Sequence, residues 1–484
     1  MINKHIRFLL LLFLFILHFV FTQNDNSQYN CFSILVGKNA TEDGSVLFAH
    51  NEDDSGINLI NWYKVPRLTH KYGENITLIN GGQIPQVNET YSFLWLEMPG
   101  QTFSDSFMNE WGVTIASDAC QSKEKSPNLL NGGIGYYLRR IMAERAISAK
   151  HAVKIAGAIV DSIGYASSGR TYCIADPNEA WMMSVVKGKH WVAQRIPDEH
   201  VAIIPNYYTI QNIDLADTLN FLGSADIIDY AIQRRWYDPK TNKEFNFRLS
   251  YGKPNSINNV RNMARNWSAT NLLSPIDYEI SDEFPFSFKP KDKVSIQVLM
   301  NVLQHHYENT DLEDTSLTHP HNHDIMRICS QTNQYGFVGQ LRNWLPTELG
   351  SVLWLAPRRP CTQVFIPWYL GITEMPSDFA VGDYNSALKN HFVKYDDVII
   401  QTSSHHFWGY VNYAEKVDNN YYELISSITE KKQSAQQEIF DNFSNLDQNI
   451  SNLLNENPQQ AIDSINHFTK RMINRSIDYM NLNK

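Results

Sequence analysis

The feature that most constrains the fold is a change of pattern at Cys31. From that residue two β-type runs, Cys31–Gly37 and Ser45–Asn51, flank the polar stretch Lys38-Asn39-Ala40-Thr41-Glu42-Asp43-Gly44. An Asp-Gly pair suits a residue of positive φ, so the segment predicts a β-hairpin whose first strand starts at a cysteine. Further strand-like runs follow at Ser92–Leu96, Trp111–Ser117, Arg170–Ala175, Ala180–Val186, His190–Arg195 and Val201–Ile204. Between them, Ile134, Leu138, Ile141, Met142, Ala146, Val153, Ile155 and Ile159 recur at helical spacing and predict one or two helices over 132–160. The stretch 222–307 is more helical and polar, and Phe337–Ile372 returns to strands rich in Trp, Phe and Val. Strand runs surrounding helical blocks indicate an α+β layered architecture, not a doubly wound sheet.

Upstream of Cys31 the chain reads as an address label. Lys4 and Arg7 precede an almost wholly apolar run, Phe8–Phe21, of the length of a secretory signal and short for a bilayer span. Residues 1–22 are read as a signal peptide and 23–30 as a short pro-segment, although no Ala-x-Ala pattern marks the cut. No later stretch approaches a transmembrane length, so no stable membrane anchor is expected after signal removal. Seven Asn-x-Ser/Thr sequons, at Asn39, Asn75, Asn88, Asn266, Asn442, Asn449 and Asn474, agree with the secretory pathway, with the medium or a lysosome or vacuole as destination. A formal net charge of −10 argues against a nucleic-acid partner.

Five cysteines is an odd number. In an oxidising compartment Cys120, Cys173, Cys329 and Cys361 could form up to two disulfides, which leaves one thiol over without saying which. Were the bond between Asn30 and Cys31 cut, Cys31 would carry both a thiol and an α-amine. With a reference pKa of about 7.7 to 8, such an amine can take the thiol proton, so one residue supplies nucleophile and base. The alternative reading is a small buried residue packing at a strand start.

Resemblance separates the two readings. The run Cys31–Ser45, followed by Ala49-His50-Asn51-Glu52-Asp53, is similar to the N-terminal signature of the dipeptidase-A family of cysteine peptidases, to which the secernins are also similar. Matching segments follow in order at Asn109–Val113, Ala175–Trp181, His190–Arg195, Ile204-Pro205-Asn206 and Pro360–Tyr369, so the resemblance spans roughly 31–375. It places the chain among the N-terminal-nucleophile hydrolases, with penicillin V acylase and bile salt hydrolase. The tail over 421–484 lies outside the resemblance and is read, from Ile, Leu and Phe at helical intervals, as a helical appendage broken near Pro458. The resemblance implies a four-layer αββα sandwich over 31–420 and peptide-bond hydrolysis on dipeptides. It further implies Cys31 as nucleophile, Asp53 as the carboxylate orienting its amine, Asn109 and Asn206 as donors to the oxyanion, and Arg265 as organiser of the nucleophile. An Arg of the wider superfamily is His50 here, which supplies positive charge only when protonated.

Two alternatives stay open: a non-peptide amidase of the same superfamily, and a secernin-like interaction protein without catalysis. Glu52 is a candidate for the amine of a dipeptide, and Arg358 or Arg359 for its carboxylate. The segment His319-Pro320-His321-Asn322-His323-Asp324 is read as a loop, because neither a helical His-x-x-x-His nor paired-cysteine spacing accompanies it. No metal or cofactor is assigned, and no oligomeric state. His405-His406 is read as an element edge.

Overall fold

The protein is described by a computed structural model. It describes residues 31–100, 105–241, 244–313, 320–321, 325–393 and 404–481, so the signal and pro-segment and His319, His323 and Asp324 lie outside the described residues.

The expected hairpin forms from β1 (Phe32–Val36) and β2 (Val46–Asp53). Gly44 has φ +84°, and Asp43 Oδ1 accepts from the backbone N–H of Ser45 at 3.0 Å, which is why Asp-Gly turns the chain here. The second strand runs past Asn51 to include Glu52 and Asp53 because Asn333–Leu341 pairs with its full length. The hairpin is the centre of a six-stranded sheet in the order Val201–Ile204, β1, β2, Asn333–Leu341, Ser351–Pro357, Ile366–Tyr369. An eight-stranded antiparallel sheet, built around Thr114–Ala119, Tyr165–Ala175 and Ala180–Gly188, lies face to face with it.

Helices cover both outer faces. The helices α1 (Tyr137–Arg145) and α2 (Ala149–Ile163) pack on the eight-stranded sheet, and the Ser148 hydroxyl caps α2 by accepting from His151 N–H. On the six-stranded sheet lie α3 (Val260–Leu273), capped by Asn259, and α4 (Ile296–Leu303), capped by Ser295. The result is the four-layer αββα order. It explains why every residue of β1 and β2 is buried: one face meets the second sheet and the other meets helices.

The C-terminal residues continue the outer layer. Helices α5 (Phe407–Asn419), α6 (Tyr421–Glu456) and α7 (Pro458–Asn481) follow one another, with the break at Pro458, where a proline fits a first helical position. Phe440 and Phe443 of α6 sit 5.1 and 4.7 Å from the Trp354 ring, and Phe443 stacks on Tyr369 at 5.4 Å. Ile428, Ile439, Ile465 and Met472 belong to the same apolar core as β1 and β2. The tail is thus a structural part of the sandwich. No helix of the described residues is long and apolar enough to cross a membrane.

Candidate active site

Cys31 stands at the entrance to β1 and is 1% exposed. The ladder partners Phe32↔Asn51 and Ser33↔Ile204, continued by one and two residues, set Cys31 opposite Glu52 on one side and Asn206 on the other. The cysteine therefore has a carboxyl and an amide as lateral neighbours by register alone. Its thiol donates to Glu52 Oε1 at 3.1 Å and lies 3.8 Å from the carbonyl oxygen of Asp53.

Behind the thiol runs a buried polar chain on the face between the sheets. Glu52 Oε2 meets His50 Nε2 at 3.1 Å, His50 Nδ1 meets Ser33 Oγ at 2.7 Å, and Ser33 donates to Asp118 Oδ2 at 2.6 Å. One proton per contact fixes the direction. Because the Ser33 hydroxyl spends its hydrogen on Asp118, it accepts from His50 Nδ1–H; His50 Nε2 then accepts, and a protonated Glu52 donates to it. Burial supports this assignment. It pushes Glu52 up to about 8, against the pull of Arg139, the Cys31 bond and Arg170. Burial also drives His50 down to about 4, Asp118 opposing and Arg139 and Arg170 assisting, so the imidazole is neutral. Asp118, desolvated in turn, is raised to about 6. His50 thus relays hydrogen bonds and does not bring the positive charge that an Arg would bring.

Asp53 points to the helix side of β2. Its carboxylate accepts from Ser330 Oγ, from Thr332 Oγ1 at 2.8 Å and from Asn333 Nδ2 at 2.8 Å. Burial nevertheless raises it to about 7. Arg265, on α3, is wholly buried. Its guanidinium donates to the Cys31 carbonyl at 3.1 Å, to Asn206 Oδ1 at 3.0 Å and to Asn262 Oδ1 at 2.8 Å. It ties nucleophile and amide together from behind. The neighbouring sequon at Asn266 does not bring this face to the surface. Asn266 is 3% exposed and donates to the Tyr207 hydroxyl at 2.6 Å, so that expected glycan position is closed by the fold.

Asn206 sits just past the strand Val201–Ile204 with φ +69°, a left-handed conformation that Asn tolerates better than most residues. Arg265 holds its side-chain oxygen, while Nδ2 makes a long 3.3 Å contact to the Ala119 carbonyl and is the amide donor nearest in register to Cys31.

Asn109 departs from expectation. Both its amide protons are spent on carbonyls at the end of α1, Ala143 O at 3.0 Å and Ala146 O, just past the helix, at 2.7 Å, and its oxygen accepts from the N–H groups of Trp111 and Val113. The side chain turns to the outer helix layer, away from the inter-sheet face that carries the thiol, and has no hydrogen to offer an oxyanion. The Asn-Glu-Trp-Gly-Val motif is a turn: Gly112 has φ +75°, and a Cβ there would come 2.6 Å from Ser351 Oγ. Arg358 and Arg359 are likewise engaged elsewhere. Arg358 donates to Asn333 O at 2.7 Å and pairs with Glu415, and Arg359 pairs with Glu415 and Asp418, so both pin α5 to the sheet.

The structure therefore gathers Cys31, Asp53, Asn206 and Arg265, turns Glu52 to the Cys31 thiol and not to a substrate amine, joins His50 to it, adds Ser33 and Asp118, and leaves out Asn109. The added residues had a sequence signal: polar side chains at alternate positions, 31 and 33 facing 50 and 52, inside strands buried on both faces. All five cysteines are unbonded and buried. A second polar cluster, His306, His321, Cys329 and Cys361, has the donor types of a metal centre.

A two-sheet αββα sandwich with a buried cysteine at the head of an inner strand is the fold that the resemblance implies. The chain belongs to peptidase family C69, whose profile matches residues 30–420. A probable dipeptidase of Latilactobacillus sakei is 26% identical over 426 residues, which covers 85% of this chain and 88% of the relative. Probable dipeptidase A of Streptococcus pyogenes serotype M1 is 23% identical, over 82% of this chain and 85% of its own. A dipeptidase of Bifidobacterium longum is 25% identical, over 72% of each chain. Among solved structures, a mutant of the conjugated bile acid hydrolase from Clostridium perfringens aligns with 68% of this chain and 89% of its own, at 12% identity and a TM-score of 0.30.

Proposed function

We propose that this protein is a dipeptidase of the secretory pathway, acting in the medium or in a lysosome or vacuole, that attacks peptide bonds with Cys31 after the chain is cut between Asn30 and Cys31. The observation that carries this reading is a buried thiol at the head of β1, 3.1 Å from a Glu52 carboxyl that is itself held neutral, with no base beside it among the contacts described above. Burial, Glu52 and Asp118 all hold the Cys31 thiol well above its ordinary pKa, so as a mid-chain residue it stays protonated. An α-amine freed at Cys31 supplies what this environment lacks. It accepts the thiol proton, and the ammonium that results pairs with the thiolate at the head of β1.

The reaction follows in two halves. Sγ attacks the carbonyl carbon as its proton passes to the amine; the oxyanion is met by the Asn206 amide; the ammonium protonates the departing amine as the C–N bond breaks. Water then adds to the acyl-thioester, the same amine takes its proton, and the acid leaves as Cys31 recovers its hydrogen. Glu52 aims the thiol and Arg265 fixes the Cys31 carbonyl. Names of the relatives support dipeptides as substrates. Exposed or half-exposed sequons at Asn39, Asn75, Asn88, Asn442, Asn449 and Asn474 support the compartment. Assay of the purified protein on Ala- and Val-containing dipeptides against N-acyl amines tests the substrate class. Dipeptide turnover abolished by Cys31→Ala is expected; turnover of N-acyl amines alone would overturn the proposal.

A further inference from the structure

Beyond the catalytic centre, four chemistry-bearing side chains from four separate segments converge at the root of the C-terminal helices. His306 follows α4, His321 stands between α4 and the strand Asn333–Leu341, Cys329 precedes that strand, and Cys361 follows Ser351–Pro357. All are at least nine-tenths buried, and their ligand atoms lie within 4.8 Å of one another. We propose that these residues form a structural zinc site of two thiolates and two imidazoles.

Two of three observed spacings match the edges of a zinc tetrahedron, and the third is about 0.3 Å short of them. Zinc bonds of about 2.0 to about 2.3 Å give a tetrahedron whose edges measure about 3.3 to about 3.8 Å. Observed separations are 3.0 Å between the two Nε2 atoms, 3.3 Å from His321 Nε2 to Cys361 Sγ and 3.6 Å from His321 Nε2 to Cys329 Sγ. The outer partners argue the same way. His306 Nδ1 is held by Glu308 at 2.9 Å, and His321 Nδ1 lies 2.9 Å from Asp418 Oδ1. A carboxylate at Nδ1 keeps the proton there and leaves Nε2 as a bare lone pair. Two imidazole Nε2 atoms and two soft sulfurs that converge on one buried point form a donor set that suits zinc. Four protein donors close the coordination sphere, which marks a structural and not a catalytic ion.

Its place in the fold says what it would hold. Cys329 is bonded to Ser330, which donates to Asp53, and the carbonyl of Ile328 accepts from Asn51 at 3.0 Å. Asp418 belongs to α5, so the same centre joins the C-terminal helices to the segment that clamps Asp53.

Metal analysis of the full-length protein as purified tests the proposal. One zinc per chain is expected. Replacement by cobalt(II) is expected to give visible bands of tetrahedral intensity with a thiolate-to-cobalt charge-transfer band. His321→Ala should lose the ion, and His321→Cys, which keeps four donors, should retain it. Wild-type protein without stoichiometric zinc, or with Cys329 and Cys361 joined as a disulfide in peptide mass mapping, would overturn the site. That readout does not depend on the enzyme's substrate.

Discussion

Cys31 Sγ and Glu52 Oε1 lie 3.1 Å apart across adjacent strands, and the thiol is the donor. The pairing is set by register: a strand shifted by one residue would turn Glu52 to the helix side and break the chain through His50 and Ser33 to Asp118. Glu52 is therefore a positioning residue for the nucleophile, and its neutral form does the positioning.

Substitution Glu52→Ala removes both the acceptor that holds the Cys31 thiol and the proton that reaches His50. A kcat lower by about 10² to about 10⁴, with KM little changed, is expected if this carboxyl takes part in proton placement. Steady-state kinetics on a dipeptide, with the pH profile of kcat, would show it. Unchanged kcat and profile would remove Glu52 from the machinery.

Stability should fall as pH rises through neutrality. Glu52, Asp53 and Asp118 carry folded-state values of about 8, about 7 and about 6, above their ordinary values. Glu97 at about 8 and Asp54 at about 6 add to them. Below about pH 4 these groups are protonated in both states; between there and about pH 8 the unfolded chain loses protons that the fold retains, so stability is lost over that window. His50 and His405, both depressed to about 4, act oppositely between about pH 6.5 and about pH 4. Five carboxyls outweigh two imidazoles. Melting followed by calorimetry should give a higher Tm near about pH 5.5 than near about pH 8, and Glu52→Gln should flatten the difference. A Tm that climbs steadily to pH 8 would be incompatible with these buried neutral carboxyls.

The two asparagines should separate cleanly. Asn109→Ala leaves two carbonyls at the end of α1 and two turn N–H groups without partners, each worth about 1 to about 3 kcal/mol, so it should destabilise strongly while the enzyme that remains folded keeps its kcat. Asn206→Ala removes the proposed oxyanion donor and should lower kcat by about 10² to about 10³. Denaturant melts beside kcat values for both variants make the comparison. A kcat loss confined to Asn109→Ala would reverse the assignment.

How much of this was legible in the sequence differs from residue to residue. The hairpin was readable because Asp43-Gly44 demands one backbone geometry and the flanking runs suit strands; Gly44 adopts the positive φ. Cys31 and Asp53 followed from the local pattern and the resemblance. Asn109 was misread because an asparagine that closes a turn and one that donates to an oxyanion look alike until the side chain's direction is known. Arg265 lies on a helix that also presents an exposed Val260 and a half-buried Arg261, so composition gave no sign that it reaches Cys31. His306, His321, Cys329 and Cys361 lacked any ligand spacing, since tertiary folding alone brings them together.

The central claim is that catalysis needs a free amine on Cys31. Intact-mass and N-terminal sequencing of the active protein, recovered from its own secretory route, tests this most directly. A mature chain beginning at Cys31 is predicted, with dipeptidase activity rising as that species accumulates. Full activity in a chain that still carries Asn30 would contradict it.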